Sequence, residues 1–122
     1  MKTKADPRHQ KRINLMQNLF SYDFQKSHDV IPADLSLIVE NLKEIDEEIK
    51  QAAPDRPLTQ INKIDLSILR LSVFELIISS KIPPKVIVDE AIELGKEYGS
   101  DSSPSFINGV LGQIIKRKGI TV

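Results

Sequence analysis

The sequence predicts an all-α protein, a compact bundle of about five helices without a β-sheet. Apolar residues recur at helical spacing in five stretches, and prolines or glycines mark most of the breaks between them. No stretch shows sustained alternation of apolar and polar residues bounded by turns. A chain of 122 residues is long enough for one domain with a real core and too short for two. We therefore expect a single domain over residues 1–122.

The first half of the chain predicts two amphipathic helices. Residues 1–7 are expected to form a flexible basic arm, because Pro7 is the first candidate helix start. The first helix is predicted from about Arg8 to about Gln25, and the second over residues 33–53. The apolar stripe of the first helix consists of Ile13, Met16, Phe20 and Phe24. The exposed side of the second helix is acidic, and we interpret it as a solvent-facing surface rather than a binding surface.

The third predicted helix, residues 62–79, is apolar on nearly every side. Such a helix belongs in the centre of a bundle. Asp65, Arg70 and Glu75 interrupt it, so it is not expected to span a bilayer. If these three side chains are partly buried, they should be paired within the protein or face a partner, and pairing is the default interpretation.

The last third of the chain predicts two helices joined by a tight turn. Pro84 suits the first position of one helix, and Gly99 suits a left-handed cap at its end. Ser103 and Pro104 suit the start of the other. One face of the earlier helix is predicted to be buried through Ile87, Ala91, Leu94 and Tyr98.

The charges balance overall but are unevenly distributed. The chain has 17 basic and 17 acidic residues, with basic ends at residues 1–12 and 116–118 and an acidic stretch at 34–55. Any nucleic-acid footprint must therefore be local. Cysteine is absent, which excludes disulfides and thiolate metal sites. The N-terminus lacks the apolar segment of a secretory signal, and we expect a cytoplasmic protein without a membrane span.

The sequence offers no pattern typical of an enzyme. His9 and His28 lack the helix-spaced partners of a metal motif, and the serines at 100–105 have no nearby histidine base. Among the acids at 89–97, Asp89 with Glu93 and Glu93 with Glu97 are i, i+4 neighbours on a solvated face of one helix. We therefore expect no catalysis, no metal site and no cofactor.

Three blocks of sequence resemble the NusB family of bacterial transcription antitermination factors, in the family's order. They are Q-N-L-F-S-Y at 17–22, I-L-R-L-S-V-F-E-L at 68–76, and a third block at 86–111 that includes E-A-I-E-L and F-I-N-G-V-L. The resemblance implies an all-helical protein that binds single-stranded boxA-type RNA of ribosomal RNA operons. It also implies a protein partner, the ribosomal protein NusE, within the RNA polymerase antitermination complex. The match is weak at 25–57, where this chain is expected to have one helix and the family usually has two.

The resemblance further implies an RNA-binding edge made by the start of the first helix and the start of the last. Arg8 and Arg12 match the family's arginine-rich pattern, and His9 stands where further arginines are common. The implied RNA-binding set is Lys2, Lys4, Arg8, His9, Lys11, Arg12, Phe106 and Asn108. The implied NusE-binding residues are Phe20, Arg70 and Glu75.

Two of these residues have structural interpretations as well. Phe106 could stack on a base or pack in the core, and the sequence does not choose between them. For Asn108 a structural role is favoured, because Gly109 and Gly112 suggest that this helix packs closely against another. Two other functions stay open: a protein-only adaptor that has lost RNA affinity, and an RNA-targeting domain that serves a ribosomal RNA methyltransferase.

Overall fold

The computed structural model describes residues 6–25 and 30–122, and these form a helical bundle. Its α-helices are α1 (Pro7–Asp23), α2 (Ser36–Glu40), α3 (Leu42–Ala52), α4 (Lys63–Val73), α5 (Pro84–Tyr98) and α6 (Ser103–Lys118). Two 3-10 turns at Ala33–Leu35 and Leu58–Gln60 and a π-helical segment at Phe74–Ser79 complete the secondary structure. No strand occurs in the ranges just given, and the all-α prediction is confirmed. Most of the predicted basic arm, residues 1–5, lies outside the described residues.

The single helix predicted over 33–53 is wrong, because the structure has α2 and α3 there. The break is at Asn41, whose backbone leaves the helical region at φ −105° and ψ 11°. Its side-chain amide donates to the carbonyl of Leu37 at 2.8 Å, which offers the chain an alternative to the helical ladder. This region therefore contains two helices, and the expected loss of one of them is also wrong.

The central position predicted for the third helix is confirmed by its burial. The α4 helix packs against α1, α3, α5 and α6. Its fully or almost fully buried side chains include Leu66, Ile68, Leu69, Leu71 and Val73. The predicted end at Ser79 is reached through the π-helical segment, where Ser80 N–H donates to the carbonyl of Glu75 at 3.1 Å. Ser80 then adopts a left-handed conformation with φ 51° and ends the helix.

The α5–α6 turn differs from the prediction at Gly99. This residue is extended, with φ −94° and ψ −166°, and is not a left-handed cap. Glycine is needed there for space, since a Cβ would overlap the side chain of Ser103 and crowd the carbonyl oxygen of Gly95. Tyr98, predicted on the buried stripe, is 38% exposed. Pro84 is the first residue of α5, as predicted.

The tight packing expected at Gly109 and Gly112 is also wrong. A Cβ at either position would meet nothing within 4 Å, so both glycines lie on the surface of α6. None of the helices within the described ranges is long and apolar enough to cross a membrane.

Replacing Leu69 by alanine should lower the free energy of unfolding by about 2–5 kcal/mol, because the side chain is completely buried in α4. Leu37→Ala is the matched control, since Leu37 is 60% exposed and its loss should cost about 0.5 kcal/mol or less. Urea unfolding of both variants measures the difference. Similar losses in the two variants would mean that α4 is not the centre of the core.

Candidate nucleic-acid interface

Two of the predicted RNA-binding residues are exposed on the first turns of α1. Arg8 and Lys11 lie three residues apart, which places them on one side of the helix. The Arg8 side chain is 85% exposed, and its Nε lies 3.5 Å from the Asp6 carboxylate. Asp6 caps α1 by accepting a hydrogen bond from the backbone N–H of Arg8 at 2.9 Å. Lys2 and Lys4 lie outside the described residues.

The other two predicted residues of this helix, His9 and Arg12, are buried. Arg12 Nε donates to both carboxylate oxygens of Glu75 at 3.2 and 3.3 Å, and Arg12 Nη1 donates to Glu90 at 3.2 Å. His9 Nδ1 lies 3.1 Å from the other oxygen of Glu90, and His9 Nε2 lies 2.8 Å from Glu97. We call these residues the α1 anchor: His9, Arg12, Glu75, Glu90 and Glu97.

The α1 anchor joins α1 to the π-helical segment and to α5. Its geometry gives His9 and Arg12 a structural role that the sequence did not indicate, while their contact with RNA stays a prediction. Nothing in the sequence indicated that Glu90 is buried, yet this residue is only 2% exposed. A glutamate on an otherwise acidic helix gives no sequence signal for a buried pair with residues so far away along the chain.

The electrostatics of the α1 anchor favour a protonated His9. Burial by itself would lower the pKa of His9, but hydrogen bonds from the ring to Glu90 and Glu97 outweigh it and raise the pKa. Since both ring nitrogens face carboxylates, the imidazolium can donate to both at once. Burial raises the pKa of the Glu75 carboxyl, although the Arg12 guanidinium opposes this.

A wide cleft lies beside the exposed face of the α1 start. It has a volume of about 840 Å³ and lies between α1, the α2 region and the connection from the π-helical segment to α5. Its apolar wall includes Leu15, Phe74 and Ile82, while Lys81 adds a further cation to the rim that carries Arg8 and Lys11. A flexible anionic chain could therefore lie along this rim with its phosphates on cations.

Phe106 and Asn108 lie in the first turns of α6. Asn108 is exposed, while Phe106 is half-buried and packs against the core with one part of its ring. The guanidinium carbon of Arg56 lies 4.6 Å from the centre of the Phe106 ring. Both interpretations of Phe106 fit this arrangement. Sequence reasoning missed Arg56, which lies in the weakly matching region and shares no periodicity with Phe106.

Of the predicted partner-binding residues, Arg70 and Glu75 are buried and paired within the protein, and Phe20 is half-buried. Arg70 is buried and donates to both carboxylate oxygens of Asp46 at 2.9 Å and to Asp23 at 3.0 Å. Glu75 belongs to the α1 anchor. Phe20 is half-buried, and its ring centre lies 4.9 Å from that of Phe24, which is 59% exposed. Pairing of Arg70 and Glu75 within the protein is confirmed, while NusE binding by these residues stays a prediction.

Comparisons with known proteins identify a family for this chain. The NusB family model matches residues 9–116. A transcription antitermination protein NusB of Clostridium novyi (strain NT) is 48% identical over 79 residues, which are 65% of this chain and 59% of that protein. The corresponding protein of Lachnoclostridium phytofermentans is 39% identical over 104 residues, 81% of this chain and 79% of that protein. With the first of these relatives, the match spans less than two thirds of the relative's length.

Solved structures share the fold. T. maritima NusB superimposes with a TM-score of 0.78 and 31% identity over 95% of this chain and 93% of that chain. A chain in the crystal structure of a plectonemic RNA supercoil gives a TM-score of 0.81 with 21% identity, over 94% of this chain and 98% of that chain. The second likeness, at this low identity, shows the fold alone.

Replacing Arg12 by alanine should destabilise the protein by about 3–5 kcal/mol, because Glu75 would be left buried without its hydrogen-bonded cation, while Glu90 would lose the guanidinium and keep the His9 ring. Arg8→Ala removes the same charge from the exposed side of the same helix and should cost about 0.5 kcal/mol or less. Urea unfolding at neutral pH compares the two. Equal, small losses would show that the α1 anchor does not hold the helix.

The contribution of His9 to stability should fall as pH rises. Its folded-state pKa is raised above the ordinary value of 6.5, so its contribution is fully present below about that pH and is lost as pH passes the folded pKa. The free energy of unfolding of the wild type minus that of His9→Gln should therefore be larger at about pH 6 than at about pH 8. Because both proteins contain His28, the effect of its titration cancels in this difference. A difference that stays constant or grows with pH would contradict a raised pKa.

Proposed function

This chain belongs to the NusB family, and we propose that it is a cytoplasmic transcription antitermination factor that binds boxA-type RNA of ribosomal RNA operons. The ribosomal protein NusE is its protein partner, within the RNA polymerase antitermination complex. The names of the relatives support antitermination, and the extent of the family match supports the transfer to this chain.

The observation that carries the proposal is the exposed basic edge at the start of α1. Arg8 and Lys11 lie on the rim of the 840 Å³ cleft, and Lys81 extends that rim from another part of the fold. These cations can neutralise phosphates along a strand, which gives affinity without reading sequence. Unpaired bases can then stack on a flat group such as Phe106, as single-stranded RNA generally requires.

The α1 anchor supports this edge from within the protein. Arg12 and His9 fix the orientation of α1, and the adjacent side of the same turns then carries Arg8 and Lys11 toward solvent. In this proposal Arg8 and Lys11 make the phosphate contacts, together with Lys2 and Lys4. The contribution of His9 and Arg12 to RNA binding is mainly positional.

The proposed NusE surface is the end of α1, where the exposed ring of Phe24 lies against Phe20. Exposed aromatic residues often anchor protein–protein contacts, because they bury a large apolar area. Arg70 joins the end of α1 to α3 by its hydrogen bonds to Asp23 and Asp46, and so would support this surface rather than contact the partner.

One observation favours a protein-only adaptor as the second candidate. Two of the predicted RNA-binding residues, His9 and Arg12, have their polar atoms engaged by carboxylates of the same chain. An adaptor of this kind would bind NusE without measurable affinity for RNA.

The test is a titration with boxA-type RNA at about 50 and 200 mM salt, with and without NusE. We expect the wild type to bind, and the double variant Arg8→Ala/Lys11→Ala to bind more weakly, with the slope of log K against log salt reduced by about 1.4. The matched control is Lys43→Ala/Lys116→Ala, which removes the same charge from exposed positions on α3 and α6 and should leave the slope almost unchanged.

Two outcomes would contradict the proposal. Equal losses in both double variants would show that general charge, and not the α1 edge, governs binding. A wild type that binds NusE but no RNA would establish the adaptor instead.

A further inference from the structure

We infer that Arg56 and Phe106 act together as one stacking platform that holds a single unpaired nucleotide of the bound RNA. The inference rests on the proposed function, because it presupposes that single-stranded RNA reaches α6. It assigns a binding role to Arg56, a residue in the turn between α3 and α4 that the family resemblance did not indicate.

The backbone holds Arg56 in place. Its N–H donates to the carbonyl of Ala53 at 3.1 Å, which closes a tight turn after α3. Pro57 follows directly, with φ −56° and ψ 146°, and leads into the 3-10 turn. A proline restricts the backbone of the residue before it as well as its own. The side chain of Arg56 thus starts from a backbone with little freedom.

The ring of Phe106 is equally well placed. Phe106 lies in the first turn of α6, where its N–H donates to the carbonyl of Ser102 at 3.0 Å, and part of the ring packs against the core. The guanidinium of Arg56 lies over its face at 4.6 Å, within the usual range of a cation–π contact. The guanidinium and the ring therefore already lie against each other at the protein surface.

The charge of Arg56 is available to a ligand. Arg56 is exposed, and among the described residues it forms no ion pair with a carboxylate. Burial raises the pKa of the nearby Asp65 carboxyl. A hydrogen bond with Ser103 and the positive charge of Arg56 oppose this shift. The N–H donors of the guanidinium can thus reach a phosphate from a position over the ring.

A nucleotide matches both parts of this platform. Its base offers a flat face that can stack on the guanidinium plane, which the Phe106 ring supports from below, and its phosphate accepts the guanidinium's paired N–H donors. Arginine suits this double task, because its plane can stack and its edge can donate at the same time. Lysine would keep the charge but lose the plane.

The experiment is a titration of boxA-type RNA that carries the fluorescent base 2-aminopurine at one position at a time. Wild type, Arg56→Ala, Arg56→Lys, Phe106→Leu and the double variant Arg56→Ala/Phe106→Leu are compared, with NusE present. Stacking quenches 2-aminopurine, so the wild type should quench strongly at one position. Arg117→Ala is the matched control, since Arg117 lies at the far end of α6 and pairs with Glu48.

We expect Arg56→Ala and Phe106→Leu to lose quenching at the same RNA position and to bind about 5-fold or more weakly. The double variant should be within about 2-fold of the weaker single variant, because the two residues act on one nucleotide. Arg56→Lys should keep the salt dependence of binding and lose the quenching. Arg117→Ala should match the wild type in both.

The outcomes separate this inference from the proposed function. If the wild type binds the RNA but Arg56→Ala leaves quenching and affinity unchanged, or tightens binding, the inference fails and the function stands. Fully additive losses would also overturn it, because they mean independent contacts. Failure of the wild type to bind RNA would overturn both. Urea melts identify any variant that is unfolded, and the exposed Arg56 variants still decide the question if Phe106→Leu does not fold.

Discussion

The arrangement of this protein's surface depends on one buried interaction, the ion pairs that the Arg12 guanidinium forms with the carboxylates of Glu75 and Glu90. The carboxylates come from the π-helical segment and from α5, which follow Arg12 by 63 and 78 residues. Buried charges cost desolvation energy, and that cost is offset only when each donor meets its acceptor in good geometry. The rotation of α1 is therefore fixed, and with it the outward direction of Arg8 and Lys11.

The helices were predictable because their signals are local. Apolar spacing, prolines at first positions and the all-apolar character of α4 each depend on residues within a few turns of one another. The roles of the basic residues were not predictable in this way. Arg8 and Arg12 look alike in the sequence, yet one faces solvent and the other is buried, and only the distant Glu75 and Glu90 make the difference. The prediction of a left-handed cap at Gly99 failed for a similar reason. Glycine is needed there because the side chain of Ser103 leaves no room for a Cβ, and the sequence does not show that contact.

The candidate site was half predictable. Phe106 belongs to a motif that resembles the NusB family, so a role at the start of α6 could be expected. Arg56 lies in the part of the chain where that resemblance is weakest, and no spacing rule connects a turn residue with a ring fifty positions later. Only the folded chain brings the guanidinium to 4.6 Å from the ring. Tertiary contacts between isolated side chains leave no periodic trace in a sequence.

The formal net charge of zero is misleading about the outer surface, because many charges cancel inside the molecule. Arg70 is satisfied by Asp46 and Asp23, and Arg12 by Glu75 and Glu90. Each of these guanidinium groups lies about 3 Å from two carboxylates, so its own field largely cancels at a distance, and the two clusters contain more acids than arginines. The potential along an edge is instead set by its exposed charged groups, and screening limits that potential to about 10 Å. A neutral chain can therefore present a locally basic edge to a phosphate backbone, provided that its acids are used to hold the helices together.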